Sequence, residues 1–411
     1  MKCSFLIKTR YFEETYEYAI RSNSFEYNHY SGEYRVVRQY SSDGFKVVSS
    51  PLMDFNSLLE KLERIKSYWG SVGNIYCSEF YNGNARFGEE FIEEKGVELI
   101  KSIDKYFREY SIDHEIILIA RHTRIEHDMI EYDVSAVDER YIYELYIYTY
   151  THYLGKLLST GKILVANRID DLFREVEHVV HESINKLKIQ ARMQSFNPIH
   201  TGRWTTILAG DAACSFYHEI MHLLQADEPV KLPLESEIGG ELDIIEDPFY
   251  PGPLQRLFDD ELYPAWRRVL VESGVVVDYL RTRLTSNGYR PGNGRGLFNI
   301  PKPMYYQLIV KQGDWSFDEA LKEFKKLVYI EDIIKAELYG NYINIVPETA
   351  FIYEKEKWTP VKNIIVKIPV NQLNRSLIGL THNLNMRYSY EKNLSIYEVA
   401  PTTILESRIT I

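Results

Sequence analysis

Cysteine is scarce in this sequence: only Cys3, Cys77 and Cys214 occur among its 411 residues. Three widely spaced cysteines cannot build a disulfide framework, and they cannot form a zinc cluster that uses cysteine ligands alone. This scarcity argues against the disulfide-stabilised extracellular class of proteins. It favours a reducing compartment, and we therefore expect a cytoplasmic protein.

Long apolar runs and blocks of basic residues are also missing. No stretch approaches the ~20 apolar residues that cross a bilayer, and residues 1–8 lack the apolar core of a signal peptide. We therefore expect no membrane partner. The net charge is -11 and Lys and Arg are scattered, whereas nucleic-acid binders present a basic surface. We also expect no nucleic-acid partner.

What the sequence does contain is an ordinary globular composition, 45% hydrophobic and 26% charged, in a chain long enough for two or three domains. Residues 1–196 mix strand-like alternation, including a hairpin over residues 34–48, with helical periodicity. The helical stretches begin near Asp54, Gly88 and Asp170. We predict an N-terminal α+β domain over residues 1–196.

The second half of the chain has a different pattern. The turn-rich segment 197–202 predicts a domain boundary, and many short strand-like runs follow it. One of these strands is expected to run from Val269 to Leu280, and a single helix is expected over residues 316–327. We predict a mainly antiparallel β domain over residues 197–411, with one further helix that carries a metal site, so the fold class of the whole chain is α+β.

That further helix contains the pattern His218-Glu219-Ile220-Met221-His222. Asp211 is its predicted N-cap. Residues four apart lie on one face of a helix, so the imidazoles of His218 and His222 can bind one Zn²⁺ ion. Glu219 would then be the catalytic general base, taking a proton from the water that attacks the substrate.

A catalytic zinc site needs a third protein ligand, and no spacing in the sequence identifies it. An acidic loop follows Pro229, and one further histidine lies near the C-terminus. The candidates are Glu241, Asp243, Glu246 and His382. The alternative for each carboxylate is a solvated surface position. Cys214 lies one turn before His218, and we interpret it as a small buried hydrophobic residue.

A collinear series of short segments runs through the second half of the chain. They comprise residues 201–208, 211–213 with His218 and Glu219, 258–261, 269–280 with Arg283, and 292–295. This series resembles the TldD/PmbA family of zinc metallopeptidases, also called modulators of DNA gyrase, over about half the chain. The resemblance implies a peptide substrate. It also implies a dimer, with itself or with a paralogous subunit, around an enclosed peptide channel.

Two departures from that family concern the metal. The catalytic TldD-like members have H-E-x-x-x-H, one residue longer than the pattern here. Five-residue spacing places the histidines about 140° apart on a regular helix and calls for a bulge, whereas four-residue spacing does not. The family's third zinc ligand is a cysteine in the C-terminal strands, and the corresponding residues 386–393 contain none. Ser389 or a neighbour takes that position, and serine and neutral tyrosine are poor zinc ligands.

Three hypotheses follow. The first is a TldD-like zinc metallopeptidase that hydrolyses unfolded or extended peptides with metal-activated water. The second is a non-catalytic, PmbA-like partner or binding subunit with a degenerate metal site. The third is a structural zinc site without turnover. The intact His-Glu-His set favours the enzyme, and the missing cysteine favours the binding subunit. The sequence identifies neither the peptide, nor the partner, nor the third ligand.

Overall fold

The structure is a computed structural model that describes residues 4–41, 44–67, 75–197 and 201–411. The chain forms two compact units, and neither is continuous in sequence. Unit 1 contains residues 1–184, 248–266 and 280–304, and unit 2 contains residues 185–247, 267–279 and 305–411. Compactness does not establish which segment folds alone, so the boundary near residue 197 stays a prediction. Residues 198–200 of its turn lie outside the described residues.

Unit 1 is built on a seven-stranded sheet. Its strands are β1 (Ser4–Arg21), β2 (Ser24–Ser41), β3 (Gly44–Ser50), β4 (Gly83–Phe87), β5 (Asp113–Met129), β6 (Val134–Tyr153) and β7 (Lys156–Ala166). They pair in the order β3-β2-β1-β5-β6-β4, and β7 also pairs with β6. The pairing of β2 with β3 confirms the predicted hairpin, whose residues 42–43 lie outside the described part of the chain.

Three helices accompany this sheet: α1 (Phe55–Arg64), α2 (Glu93–Glu109) and α3 (Ile169–Gln190). Each begins close to its predicted start. Asp54 caps α1, because its carboxylate accepts a hydrogen bond from the Ser57 amide at 2.8 Å. The apolar faces of α2 and α3 bury the inner face of the sheet in a common core, which includes Leu99, Ile103, Phe107, Leu118, Leu145, Leu172 and Val176.

Residues 248–266 and 280–304 complete unit 1, and Arg283 in the second of these segments binds residues 76–79. Its guanidinium is fully buried and donates to the carbonyl oxygens of Tyr76, Ser78 and Glu79 at 3.0, 2.9 and 2.7 Å. Its Nε donates to the carbonyl oxygen of Glu261 at 3.0 Å. Residues 76–79 therefore depend on a side chain about two hundred positions further along the sequence.

The remaining elements follow in chain order, with β13 and β14 in unit 1 and the others in unit 2. The strands are β8 (Gln194–Ser195), β9 (Gly202–Leu208), β10 (Ile244–Glu246), β11 (Arg268–Glu272), β12 (Val275–Val276), β13 (Gly294–Arg295), β14 (Lys302–Pro303), β15 (Gln307–Val310), β16 (Lys326–Ile330), β17 (Ile333–Tyr339), β18 (Tyr342–Pro347), β19 (Ala350–Glu354), β20 (Lys357–Lys362), β21 (Ile365–Pro369), β22 (Leu377–Glu391) and β23 (Leu394–Thr410). The helices are α4 (Gly210–His222), α5 (Phe317–Glu323) and α6 (Leu373–Ser376).

The long strand β23 lies at the centre of unit 2. It pairs antiparallel with β9, β21 and β22 and in parallel with β15. Most other pairs are antiparallel, with β9–β16 and β8–β20 as further parallel pairs. The mainly antiparallel architecture and the α+β class are therefore confirmed. Helix α4 packs against β23, β22 and β17.

Two elements of unit 2 differ from the sequence prediction. The expected strand from Val269 to Leu280 is a hairpin of β11 and β12 that turns at Gly274, where φ is +78°. A Cβ atom there would lie 2.3 Å from the carbonyl oxygen of Gly239, so only glycine fits. The helix expected over residues 316–327 ends at Glu323, because Lys326–Ile330 joins the sheet as β16 between β9 and β19. None of the described helices combines the length and apolar composition of a bilayer span.

Candidate metal centre

Helix α4 holds the candidate metal ligands, and tertiary hydrogen bonds fix its start. The Gly210 amide donates to Oδ1 of Asn385 at 2.9 Å, and the Ala212 amide donates to the carbonyl oxygen of Glu331 at 3.0 Å. Because these groups satisfy the first free amides, the helix needs no side-chain cap, and its N-cap is Ala209. The prediction of Asp211 as the N-cap is wrong, since Asp211 lies in the first turn.

The structure brings the three predicted site residues together. The rings of His218 and His222 lie 4.9 Å apart between centroids, at 86° to one another. Ligand atoms of His218, Glu219 and His222 all lie within 4.8 Å of one another. Within the described ranges this is the only such group of three or more His, Cys, Asp or Glu side chains. Four-residue spacing on a regular helix is sufficient to place both imidazoles on one face, as expected.

A buried network fixes the orientation of the His218 ring. Its Nδ1 lies 2.6 Å from the hydroxyl of Tyr305 and 3.0 Å from Oε1 of Glu398. The Tyr305 hydroxyl donates its one proton to Oε1 of Glu398 at 2.6 Å. An ionised carboxylate accepts only, so the Nδ1 atom of His218 must carry a proton. Nε2 is therefore the ring nitrogen that can bind a metal ion, which would replace the proton on that atom.

Glu398 is itself held in a fixed position. It lies on β23 with no solvent exposure, and Nη1 of Arg387 donates to its Oε2 at 3.0 Å. The guanidinium balances the charge that burial would otherwise make costly. Each oxygen of the Glu398 carboxylate therefore has a charged or hydroxyl partner, and its Oε1 faces the Nδ1 side of His218.

A second carboxylate faces the other side of the ring. Glu391, the last residue of β22, has its Oε2 atom 3.8 Å from Nε2 of His218. Its side chain is 22% exposed, and its Oε1 lies 3.3 Å from Nζ of Lys392. Glu391 was not among the candidates that the sequence suggested, although it lies in the segment 386–393 where the family cysteine was sought.

The carboxylates and the histidine that the sequence did suggest do not join this group. Glu241 is exposed, Asp243 pairs with Lys311 at 3.1 Å, and His382 is exposed. Glu246 is buried on β10. The interpretation of Cys214 as a small buried residue is confirmed, since it is fully buried and burial raises the pKa of its thiol well above the ordinary value.

The charges around the two imidazoles push their pKa values apart. Burial opposes protonation of His218, but the carboxylates of Glu391 and Glu398 outweigh it and raise the pKa of His218 to about 9. Burial and the neighbouring His218 charge lower the pKa of His222 to about 4. The polar contact with the His218 ring, 3.8 Å away, lowers the pKa of Glu391 to about 2. Of the two imidazoles, His218 therefore has the higher affinity for a proton and His222 the lower.

Glu219 projects from the same turn of α4. Its Oε2 atom accepts a hydrogen bond from the Leu338 amide of β17 at 2.6 Å, and the residue is only 6% exposed. Burial raises the pKa of its carboxyl group, and the charge of His218 partly opposes that effect. A buried carboxylate with raised proton affinity next to the two imidazoles has the properties of a general base.

Residues 201–407, just over half of the chain, match the model of the PmbA/TldA metallopeptidase C-terminal domain. The chain belongs to the PmbA/TldD family. The matched residues include α4, Tyr305 and the β22–β23 turn, and therefore every side chain described above for the candidate metal centre. The resemblance to this family that the sequence shows is thus confirmed.

This PmbA/TldD protein is similar to archaeal proteins named as metalloproteases. It is 30% identical to one from Methanocaldococcus jannaschii over 154 residues, 34% of either chain. It is 24% identical to one from Archaeoglobus fulgidus over 255 residues, 58% of this chain and 57% of the relative. The matches therefore span between one third and three fifths of the length of these curated relatives.

Solved structures extend the likeness to the whole fold. TldE from Thermococcus kodakarensis superposes with a TM-score of 0.76 at 13% identity, covering 99% of this PmbA/TldD chain and 96% of TldE. A candidate modulator of a DNA gyrase from Thermotoga maritima gives a TM-score of 0.75 at 14% identity, with coverage of 99% and 96%. At such low identity these likenesses establish the fold and carry no residue roles.

Proposed function

We propose that this protein is a zinc metallopeptidase that hydrolyses unfolded or extended peptides. The observation that carries the proposal is the pair of imidazoles on one face of α4, with a buried glutamate beside them. Two histidines and nearby carboxylates match the donors that catalytic zinc uses in proteins. The metalloprotease names of the relatives support the same reaction class.

In this proposal each side chain has a separate task. Nε2 of His218, together with His222, would hold the metal, and Glu398 and Tyr305 would keep the His218 ring in the required tautomer. When bound, Zn²⁺ would polarise the scissile carbonyl and make water easier to deprotonate. Glu219 would accept the proton from the attacking water and pass it to the departing amine.

Glu219 is suited to that task by its surroundings. The hydrogen bond from the Leu338 amide fixes one carboxylate oxygen, so the carboxylate does not have to be ordered when substrate arrives. Its raised pKa strengthens it as a base compared with an exposed glutamate. The backbone of an extended peptide is also a suitable partner for a site next to strand β17, because strands bind extended chains through backbone hydrogen bonds.

The resemblance also supports a dimer, formed with a second copy of the chain or with a paralogous subunit. The low cysteine content supports a cytoplasmic location. Both statements remain proposals for this chain. Size-exclusion chromatography with light scattering distinguishes a homodimer from a monomer that awaits a paralogue.

A second candidate function is a non-catalytic partner subunit. It is favoured by one observation: the segment 386–393 contains no cysteine, so the ligand that the family uses is missing. Within that segment the Ser389 hydroxyl is buried and has no hydrogen-bond partner among the described residues. Such a subunit would bind little or no zinc.

Zinc content separates these functions. Protein purified without chelator should contain one zinc per chain, and His222→Ala should lose it, because one of two imidazole ligands is gone. Substoichiometric zinc in the wild type would favour the non-catalytic subunit. Glu219→Gln should keep its zinc and lose cleavage of a denatured, fluorescently labelled protein, whereas the exposed control Glu241→Gln should keep both. Cleavage that survives in Glu219→Gln would refute the base assignment, and stoichiometric zinc without cleavage in the wild type would indicate a structural site.

A further inference from the structure

We propose that Glu391 supplies the third protein ligand to the metal, in the place that a cysteine takes in the family this chain resembles. The inference rests on the proposed function, because it requires a metal ion held by His218 and His222. It completes a two-histidine, one-glutamate donor set, which leaves a fourth position open for water or substrate.

The distance between donors supports this assignment. Oε2 of Glu391 lies 3.8 Å from Nε2 of His218. Two donors bound tetrahedrally to one Zn²⁺ at ~2.0 to 2.2 Å lie ~3.3 to 3.6 Å from each other. The two atoms therefore need to approach by only a few tenths of an ångström. The Glu391 carboxylate lies outside the 4.8 Å group of His218, Glu219 and His222, so its side chain must also rotate toward His222. That side chain is 22% exposed and carries three rotatable bonds, which permit the rotation.

The orientation of the His218 ring supports it as well. Because Nδ1 is engaged by Tyr305 and Glu398, the metal must lie on the Nε2 side of the ring. Glu391 is the carboxylate within 4.0 Å of that Nε2 atom in the described part of the chain. Glu398 is held by Arg387, Tyr305 and His218 on the opposite side, so it orients the ring and cannot serve as the third ligand.

A single hairpin carries both carboxylates. Strand β22 ends at Glu391, a two-residue turn follows with Lys392 and Asn393 at φ +51° and +65°, and β23 begins at Leu394. Paired left-handed residues are typical of a tight hairpin turn. In this register Glu391 lies opposite Leu394, and Glu398 lies opposite Arg387. The turn thus fixes the position of the proposed ligand relative to the carboxylate that orients His218.

The remaining ligand-type side chains have other partners or positions. Asp243 is paired with Lys311, and Glu241 is exposed in a turn. Glu219 is the nearest competitor, because its ligand atom lies within 4.8 Å of both imidazoles. Its Oε2, however, accepts the Leu338 amide at 2.6 Å, so binding a metal through that oxygen would break a short hydrogen bond. Among the described residues, no backbone amide donates a comparable hydrogen bond to the Glu391 carboxylate.

A zinc titration tests the proposal without an activity measurement. The chain is stripped of metal by dialysis against a chelator, and Zn²⁺ is titrated in competition with a chromophoric chelator. Glu391→Gln should weaken zinc binding by at least about 100-fold, more than a change outside the coordination shell typically does. Glu391→Asp should bind about tenfold more weakly than wild type, and Glu391→Cys should restore tight binding, because a thiolate is a good zinc ligand.

Controls separate this proposal from the proposed function. Glu406→Gln removes an exposed carboxylate from β23 and should leave zinc affinity unchanged. If wild type binds zinc and His222→Ala does not, while Glu391→Gln binds within threefold of wild type, the metal site stands and Glu391 is not its third ligand. If wild type itself fails to bind zinc, both proposals are wrong. Thermal unfolding of each metal-free variant checks that it is folded. If Glu391→Gln does not fold, the zinc affinities of Glu391→Asp and Glu391→Cys test the proposal in its place.

Discussion

Replacing Glu398 by glutamine tests how the fold prepares His218 for a metal. The substitution keeps the size of the side chain and removes its charge. Glu398 has no solvent exposure, and its carboxylate accepts hydrogen bonds from Tyr305 and Arg387 and pairs with Nδ1 of His218. An amide has one acceptor oxygen and a donor nitrogen, so it cannot satisfy all three of these groups.

Two separate effects are expected from Glu398→Gln. Arg387 loses its buried counter-charge, and breaking such a pair typically costs ~3 to 5 kcal/mol. Because the Arg387 side chain is 23% exposed, we expect the lower end, about 3 kcal/mol of the free energy of unfolding. The His218 ring also loses the acceptor that fixes its tautomer. Loss of such an orienting carboxylate typically weakens metal binding about 10- to 100-fold, or ~1.4 to 2.7 kcal/mol.

The two effects are measured separately. Urea unfolding in chelator reports the stability of the metal-free protein, and competition titration with Zn²⁺ reports affinity at pH 7 under conditions where both proteins are folded. Nitrogen NMR of the histidine ring gives a third readout, because it identifies which ring nitrogen carries the proton. In the zinc-loaded wild type that atom should be Nδ1, with Nε2 bound to the metal, and in zinc-loaded Glu398→Gln the two tautomers should mix.

A matched control is available on the same strand. Glu406 of β23 pairs with Arg203 at 3.4 Å, but their side chains are 46% and 82% exposed. Glu406→Gln should change stability by less than about 0.5 kcal/mol and leave zinc affinity unaltered. If Glu398→Gln bound zinc as tightly as wild type and kept a single tautomer, the orienting role of Glu398 would be refuted, even if stability fell.

Two further predictions concern stability. Because the pKa of His218 is raised to about 9 from an ordinary value near 6.5, its pairing with Glu391 and Glu398 stabilises the metal-free protein fully below about pH 6.5 and is lost as the pH rises through 9. The loss is about 3 kcal/mol of the free energy of unfolding. Urea unfolding in chelator at pH 6 and pH 9.5 should show this loss in wild type and not in His218→Gln. An equal change with pH in both proteins would contradict the assignment. Gly274→Ala should lower the free energy of unfolding by about 3 kcal/mol, since the new Cβ would lie 2.3 Å from the Gly239 carbonyl oxygen. Gly340 is also left-handed but has open space around it, so Gly340→Ala should cost only about 1 kcal/mol. Thermal unfolding measures both.

Local periodicity explains which parts of the site the sequence could predict. His218 and His222 lie four residues apart on one helix, and the 3.6-residue period alone places both imidazoles on one face. Glu219 is the neighbour of His218 in sequence, so it is also close to them. The hairpin of β2 and β3 was predictable for the same reason, because its strands are neighbours in sequence.

The groups that surround the imidazoles depend on long-range register, which one sequence does not specify. Glu391 and Glu398 reach His218 from a hairpin about 170 residues away, and Tyr305 comes from a third segment. One signal was nevertheless present. Glu398 is a charged residue within the otherwise apolar run of β23, and such a residue in a buried strand usually has a specific partner.

The Asp211 cap and the Val269–Leu280 strand were wrong for related reasons. Asp211 has the right residue type for a cap, but Asn385 and Glu331 already satisfy the amides at the start of α4. The apolar pattern over residues 269–280 suits a strand, and only the approach of the Gly239 backbone to Gly274 requires the chain to turn there. In both cases a tertiary contact outweighs a correct local preference.

The discontinuity of unit 1 has a consequence for biosynthesis. Residues 76–79 leave the ribosome long before Arg283, whose guanidinium binds three carbonyl oxygens of that segment. At a translation rate of ~5 to 20 residues per second, that segment waits roughly 10 to 40 s for its partner. During that interval the core cluster that Phe258, Leu262 and Leu284 complete is unfinished, and its apolar surface is open to chaperones or to other nascent chains. A codon-level change in translation speed between these two segments would therefore alter the yield of folded protein without altering the sequence.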